Sequence, residues 1–302
     1  MGVSWKTRLL VGLALVATAG CCVLGGSAWA EAQFQRLSVR VPGSADDVWL
    51  VVGVDDRRAA SAEIAEDVGG GAPGARADIV LLARRAGDEF QILSLDRRLL
   101  LTQGATAGRL GSSWLDGPQA TVDLLCDGLG VGVDHVVRTD FASLVGLVDA
   151  LGGVEVELET ALRDEPAHLA IEAGRQEVNG RVALGLVRSR QGEVLVDGSW
   201  RPEKEGALGR QQRAGQVIRG IASRIGAADW PTRWRAFRAT APTMALDEGT
   251  SLWELARLAG ADPVVTALDV QAAPDDELFA QLGEGAAEQL APFRASGCSR
   301  ER

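Results

Sequence analysis

Apolar residues fall along the 302-residue chain in short blocks of two kinds, and the blocks predict its elements. Residues 48–55, VWLVVGVD, form a Val-rich run ending in a carboxylate, the pattern of a strand buried on both faces. After a loop containing GGGAPG (69–74), the segments DIVLLARR (78–85) and FQILSLDRR (90–98) flank a turn at Gly87-Asp88 and predict a hairpin. ATVDLLCDGLG (120–130) has helical spacing and ends in glycine. DHVVRT follows as a strand, and FASLVGLVDALGG (141–153) is a second helix closed by glycines. VEVELE alternates as a strand at an exposed edge does. VNGRVALGLVRSR (178–190) predicts a short helix or turn feeding a buried strand that ends in Arg188-Ser189-Arg190. LGRQQRAGQVIRGIASRIG (208–226) is strongly amphipathic with helical period. The tail after Trp230 reads as mostly helical, packed on the main domain. Strands alternating with helices imply an α/β sheet covered on both sides.

The N-terminus sets the compartment. Residues 1–8, MGVSWKTR, carry two positive charges, and residues 9–30, LLVGLALVATAGCCVLGGSAWA, carry none. A run of that length predicts a transmembrane signal-anchor helix with its basic flank inside the cell and everything after about residue 31 outside. Ala28-Trp29-Ala30 resembles a cleavage site, so a removed signal is the alternative. The expected division is a cytoplasmic 1–8, an anchor 9–30, a linker 31–44, an α/β domain 45–226 and a helical extension 227–302. Cys21 and Cys22 lie in the apolar run, whereas Cys126 and Cys298 fall in the exported part, where they either bridge or stay free thiols. No C-x-x-C occurs, and His135 and His168 stand apart from other ligands, so no zinc site is expected.

A net charge of -10 argues against general attraction to nucleic acid or to anionic lipid headgroups and makes any anion site a local construction. The positive charge is nearly all arginine, Lys6 and Lys204 being the only lysines. Charged residues recur at predicted strand ends: Asp55 to Arg58, Arg76 with Asp78, Arg97 with Arg98, and Arg188 with Arg190. Arg210 and Arg213 lie one turn apart near the start of the long helix. On a strand, Arg188 and Arg190 share a face, which is tolerable where water screens them or an anion of high charge density lies between them. The guanidinium fork matches phosphate oxygens, and Asp55 and Asp78 supply hard oxygen ligands, so Mg²⁺ (or Mn²⁺) held jointly with a diphosphate is the chemistry suggested. Each pair taken alone is equally well a solvated strand end.

In order, GVDDR (53–57), RADIVLL (76–82), SLDRR (94–98), FASLVGLVDALGGVEVEL (141–158), VNGRVALGLVRSR (178–190) and LGRQQRAGQVI (208–218) resemble the LytR-CpsA-Psr family of bacterial cell-envelope proteins. The resemblance covers roughly residues 45–226. It implies a three-layer α/β/α sandwich around a mixed central sheet, with an apolar pocket for a lipid chain. It also implies an extracytoplasmic phosphotransferase that moves an anionic glycopolymer from a polyprenyl diphosphate carrier to peptidoglycan. The family's metal-binding aspartates match Asp55 and Asp78. Its diphosphate-binding arginines match Arg76, Arg97, Arg188, Arg190 and Arg210, and Arg109 matches a position that is often lysine. Of these, Arg97, Arg188, Arg190 and Arg210 are expected to neutralise charge during transfer. The chain departs from the family pattern where Asp96 replaces a proline, Arg98 a carboxylate and Ala207 an aspartate. The family's Arg-Gln-Gln reads as Arg213-Ala214-Gly215. A polyprenyl-phosphate binder without turnover and a diphosphate phosphatase are the alternatives these departures leave open.

Overall fold

The computed structural model describes residues 29–44, 46–54, 76–189, 191–203, 206–258, 263–273 and 276–298. Strands β1 (Gln35–Leu37), β2 (Asp47–Val54), β3 (Ala77–Ala86), β4 (Glu89–Leu95), β5 (His135–Asp140), β6 (Ala245–Asp247) and β7 (Val264–Ala267) form one sheet, in the spatial order β1-β6-β5-β2-β3-β4-β7. The β1–β6, β2–β5 and β4–β7 pairs are parallel and the others antiparallel, so the sheet is mixed. The hairpin of β3 and β4 turns at Gly87, whose positive φ suits glycine.

Strand β2 is flanked on both sides and is apolar on both faces, as its unbroken run requires. Val48, Leu50, Val52 and Val54 enter one core with Leu110, Val122, Leu125 and Leu129, from helices α1 (Leu110–Ser113) and α2 (Pro118–Leu129). Trp49 and Val51 enter the opposite core. There they meet α5 (Gly206–Ala227), α6 (Trp230–Thr240) and α7 (Leu252–Leu258) through Ile218, Phe237 and Leu255. Helices on both faces of a mixed sheet make three layers. Each fully buried Leu or Val side chain contributes about 1.5–3 kcal/mol relative to exposure.

The remaining helices carry the site. Helix α3 (Phe141–Ala150) starts at Asp140, whose carboxylate accepts the Ser143 N–H at 2.7 Å. Helix α4 (Gly180–Arg188) starts at Asn179, whose side chain accepts the Val182 N–H at 3.0 Å. A Cβ on Gly180 would stand 2.4 Å from the Val145 carbonyl oxygen, so glycine is what lets α4 seat on α3.

Three expectations change. VALGLVRS is not a strand: α4 runs to Arg188, with the Ser189 N–H closing its last turn on the Gly185 carbonyl. Ala183 through Val187 are all buried, since α4 packs against α3, α5 and the strand at Leu169–Ile171, and five consecutive apolar or small residues read as a buried strand because the polar stripe of this short helix is left only at Arg181 and Arg188. The argument that Arg188 and Arg190 share a strand face therefore fails. The tail beyond Trp230 is not mostly helical either, because it contributes β6 and β7 to the sheet. Both strands are short and were hidden between polar segments. VEVELE forms its strand, Val154–Leu158, in a separate ribbon with Gly174–Val178.

Cys126 in α2 is disulfide-bonded to Cys298 across 172 residues, so the two are not free thiols. Among the described residues no helix is long and apolar enough to cross a membrane, and all but the last two residues of the 9–30 run lie outside them.

Candidate functional site

One cavity of about 280 Å³ has an apolar wall of Ile79, Phe141 and Val187 and a polar wall that includes Asp78, Asp164, Arg188 and Arg210. Five separate elements supply these residues, Asp164 coming from the end of the strand Leu162–Asp164. Asp78 is the second residue of β3, Phe141 opens α3, Arg188 ends α4, and Arg210 lies in the second turn of α5. The Arg188 guanidinium stands over the Phe141 ring, 5.7 Å from its centre. A cation in the last turn also suits the negative end of the α4 dipole. Of the apolar residues of α3 and α5, Phe141 reaches the cavity, while Leu144, Ile218 and Ile221 pack into cores.

Behind Asp78 lies the turn that ends β4. Arg97 donates to the Asp78 carboxylate from its Nη1. Gly111 holds that turn in place: its N–H donates to the Arg97 carbonyl at 2.7 Å. A Cβ there would meet the Ala77 carbonyl and the Arg97 Cβ at 2.9 Å.

Asp96 is 2% exposed and accepts from the Arg98 backbone N–H at 2.8 Å and from Arg98 Nη2 at 2.8 Å. Burial alone would push its carboxyl up, but the Arg98 hydrogen bonds, with the charges of Arg98 and Arg210, hold it below its ordinary value. Arg210 is the converse case. Burial disfavours its charge most; Asp96 and Asp78 oppose that, Arg97 and Arg98 reinforce it, and the net shift is downward. Its Nε is buried with no hydrogen-bond partner. Two acids and three arginines thus share one electrostatic neighbourhood, with an unsatisfied donor inside it.

Of the residues expected from sequence, Asp78, Arg97, Arg188 and Arg210 come together here. Arg76 is exposed two residues before Asp78, just ahead of β3. Arg109 does not line the cavity: its guanidinium lies over Phe279 at 5.9 Å and donates from Nε to Ser112 Oγ at 3.3 Å. A substitution of lysine by arginine leaves a planar group that stacks on the ring that the tail brings in. Asp55 and Arg190 lie outside the described residues, as does the GGGAPG loop. Arg213 serves the frame instead, donating to Glu203 at 2.6 Å and to the Ser189 carbonyl at 3.3 Å, which ties α5 to the end of α4. Ala214 packs into an apolar core.

Sequence reasoning missed Asp164 and Gln191 in the cavity wall and the role of Asp96. Asp164 is buried, accepts the Gln191 N–H at 3.1 Å and caps the turn Glu165–Ala167. Its only trace in the sequence was a D-E-P capping pattern. Asp96 was visible as a carboxylate two residues from Arg98.

Among the described residues no three acids, histidines or cysteines gather as a metal cage. Mg²⁺ typically takes one or two carboxylates and completes its shell with water and substrate phosphate, and Asp78 in the cavity wall is compatible with that arrangement.

The LytR_cpsA_psr family model matches residues 34–244. The probable cell wall biosynthesis protein LcpB of Corynebacterium glutamicum is 29% identical over 241 residues, 76% of this chain and 56% of LcpB. The polyisoprenyl-teichoic acid–peptidoglycan teichoic acid transferase TagU of Bacillus subtilis is 32% identical over 108 residues, 36% of this chain and 31% of TagU. The chain thus spans little more than half of LcpB and about a third of TagU. A LytR-Csp2A-Psr enzyme from Actinomyces oris superposes with a TM-score of 0.73 at 29% identity, covering 87% of this chain and 97% of that one.

Proposed function

Starting from the fact that the chain belongs to the LytR_cpsA_psr family, we propose that it transfers an anionic glycopolymer from a polyprenyl diphosphate carrier to peptidoglycan at the outer face of the membrane. The observation that carries this reading is the buried Arg210 Nε without a partner, set beside Asp78, Arg97 and Asp96. A charged donor left unsatisfied in a charged cavity is matched by a phosphate oxygen. The teichoic acid transferase activity for which TagU is named, and LcpB as a probable cell wall biosynthesis protein, are in keeping with it.

The diphosphate binds with its oxygens toward Arg210 and Arg188 and its prenyl chain toward Ile79, Phe141 and Val187. A hydroxyl oxygen of peptidoglycan attacks the phosphorus that bears the glycopolymer. The new P–O bond forms as the bond to the bridging oxygen breaks, polyprenyl phosphate leaves with that electron pair, and the hydroxyl proton is released. Arg210, Arg188 and Arg190 offset the charge that gathers on the leaving phosphate. Asp78 orients Arg97 from behind the cavity. Asp78 and Asp55 would hold Mg²⁺, which would supply further neutralisation of the diphosphate. The run 9–30 anchors the chain, with the α/β domain outside.

Reconstituted transfer to peptidoglycan tests the reading. Arg188→Ala combined with Arg190→Ala should lower the rate by at least 100-fold, and an unchanged rate would overturn the mechanism. A second reading, a polyprenyl-phosphate binder, is favoured by one observation: Arg98 occupies the family's carboxylate position and is tied to Asp96. Mass spectrometry of co-purified lipid followed by Mg²⁺-dependent turnover separates the cases. Bound lipid without turnover identifies the binder, and phosphate release without acceptor identifies a hydrolase.

A further inference from the structure

Half of the eight tryptophans share one end of the molecule, and they are exposed. Trp230 is 72% exposed, Trp253 66%, Trp29 49% and Trp234 36%. In α6 the spacing of Trp230, Trp234 and Phe237 forms a row, with ring centres 6.1 and 5.4 Å apart. Trp29 lies against that row, 5.7 Å from Trp234 and 6.5 Å from Phe237. Trp253 stands at the start of α7, where the Leu252 N–H donates to Glu31.

Trp29 is also the next-to-last residue of the uncharged run 9–30. If that run crosses the bilayer from a basic inner flank, Trp29 stands at the outer headgroup boundary. Rings in contact with Trp29 then stand at the same depth. The helix carrying them is suited to that place. It has Arg233, Arg235 and Arg238, all exposed, and no acidic residue, in a chain of net charge -10. Tryptophan and phenylalanine on one strip and arginine beside it is the composition of a helix that lies in an anionic membrane interface.

We propose that α6, with Trp29 and Trp253, seats the folded domain on the outer leaflet, rings at the acyl boundary and arginines on anionic phospholipid headgroups. The proposal goes beyond the transfer reading. It rests on the run 9–30 as anchor, not on any activity of the cavity. The domain is thereby held against the bilayer in one orientation instead of swinging from a tether.

The test uses the full chain reconstituted into vesicles of three parts dioleoylphosphatidylcholine to one part phosphatidylglycerol, with and without bromine on the acyl chains. Tryptophan fluorescence of the natural chain should be quenched to about one and a half times the fraction seen for W230F/W234F/W253F, which keeps Trp5 and Trp29 at the two ends of the anchor and Trp49, Trp114 and Trp200 in the domain. Equal fractions in the two proteins overturn the proposal. If they are equal while W29F reduces quenching, the anchor holds and the domain stands away from the membrane. If bromine quenches neither protein, the anchor fails too, while transfer activity stays an independent matter. Intermolecular cross-linking through α6 with no differential quenching would assign the face to a second copy and likewise overturn the proposal. Hydrogen exchange needs no substitution: the 228–241 segment should exchange at least threefold more slowly in vesicles containing phosphatidylglycerol than in phosphatidylcholine alone, and equal rates count against anionic recognition.

Discussion

Replacing Asp96 by Asn keeps the shape of the side chain and removes its charge. The carboxylate is 2% exposed and accepts the Arg98 backbone N–H and the Arg98 guanidinium, which is itself one-third exposed. Removing one member of a fully buried ion pair costs about 3–5 kcal/mol, and hydrogen bonds to charged groups contribute about 1.5–3 kcal/mol. Because the Arg98 head can turn to water, the expected loss is the smaller, about 1.5–3 kcal/mol. The pH dependence gives a second handle. The folded carboxyl is held below its ordinary value, so its stabilisation is present above the unfolded value, about 3.9, and disappears as pH falls through the folded one. Urea unfolding at about pH 7 should separate the two proteins by that amount, and at about pH 3 the gap should shrink markedly. A gap absent at neutral pH, or equal at both, would refute the argument that this carboxylate is paired and ionised. Transfer should fall as well, because Arg210 loses the negative charge that most favours its own positive one.

Three further outcomes follow from the same geometry. Arg210→Met should raise the thermal midpoint, by about 1 kcal/mol in stability, since it removes a buried charge that burial disfavours, yet it should abolish measurable binding of a polyprenyl diphosphate; calorimetry and a lipid-binding assay read the two. Gly111→Ala should cost about 1–3 kcal/mol by denaturant unfolding and reduce transfer, because the added methyl presses on Ala77 and on the Arg97 turn. Cys126→Ser with Cys298→Ser opens a 172-residue loop, for which loop-closure entropy assigns roughly 5 kcal/mol, so the guanidinium midpoint should drop by a large fraction of the total stability.

The fold was legible where periodicity was clean. Val-rich β2, the hairpin of β3 and β4, the glycine-closed α2 and the amphipathic α5 all stand where their patterns put them. It was illegible where a short element shows too little of its period: α4 buries five consecutive apolar or small residues, Ala183 to Val187, between Arg181 and Arg188, and so resembled a strand. Strands of three and four residues such as β6 and β7 carry too few positions to show alternation and exist because neighbouring strands offer free edges. For the site, a residue type at an element's end was enough to bring Asp78, Arg97, Arg188 and Arg210 into view. The contact of Arg109 with Phe279 was not legible, because one chain position does not tell which ring the tail brings over a guanidinium. Asp164 went unseen because its buried backbone-capping work leaves only a turn signature.

The place of β6 in the sheet has a practical corollary for anyone cutting this chain. The matched family region stops at residue 244, one residue short of β6, which is wedged between β1 and β5. Asp247 accepts the Val136 N–H at 2.7 Å and, through its carbonyl, an Arg36 guanidinium N–H at 3.2 Å. A fragment trimmed to the homology boundary would strip out that wedge, orphan β1 with the tryptophan that precedes it, and leave β5 as a raw sheet margin open to unwanted strand pairing. Expression boundaries drawn through Cys298 keep the margin closed.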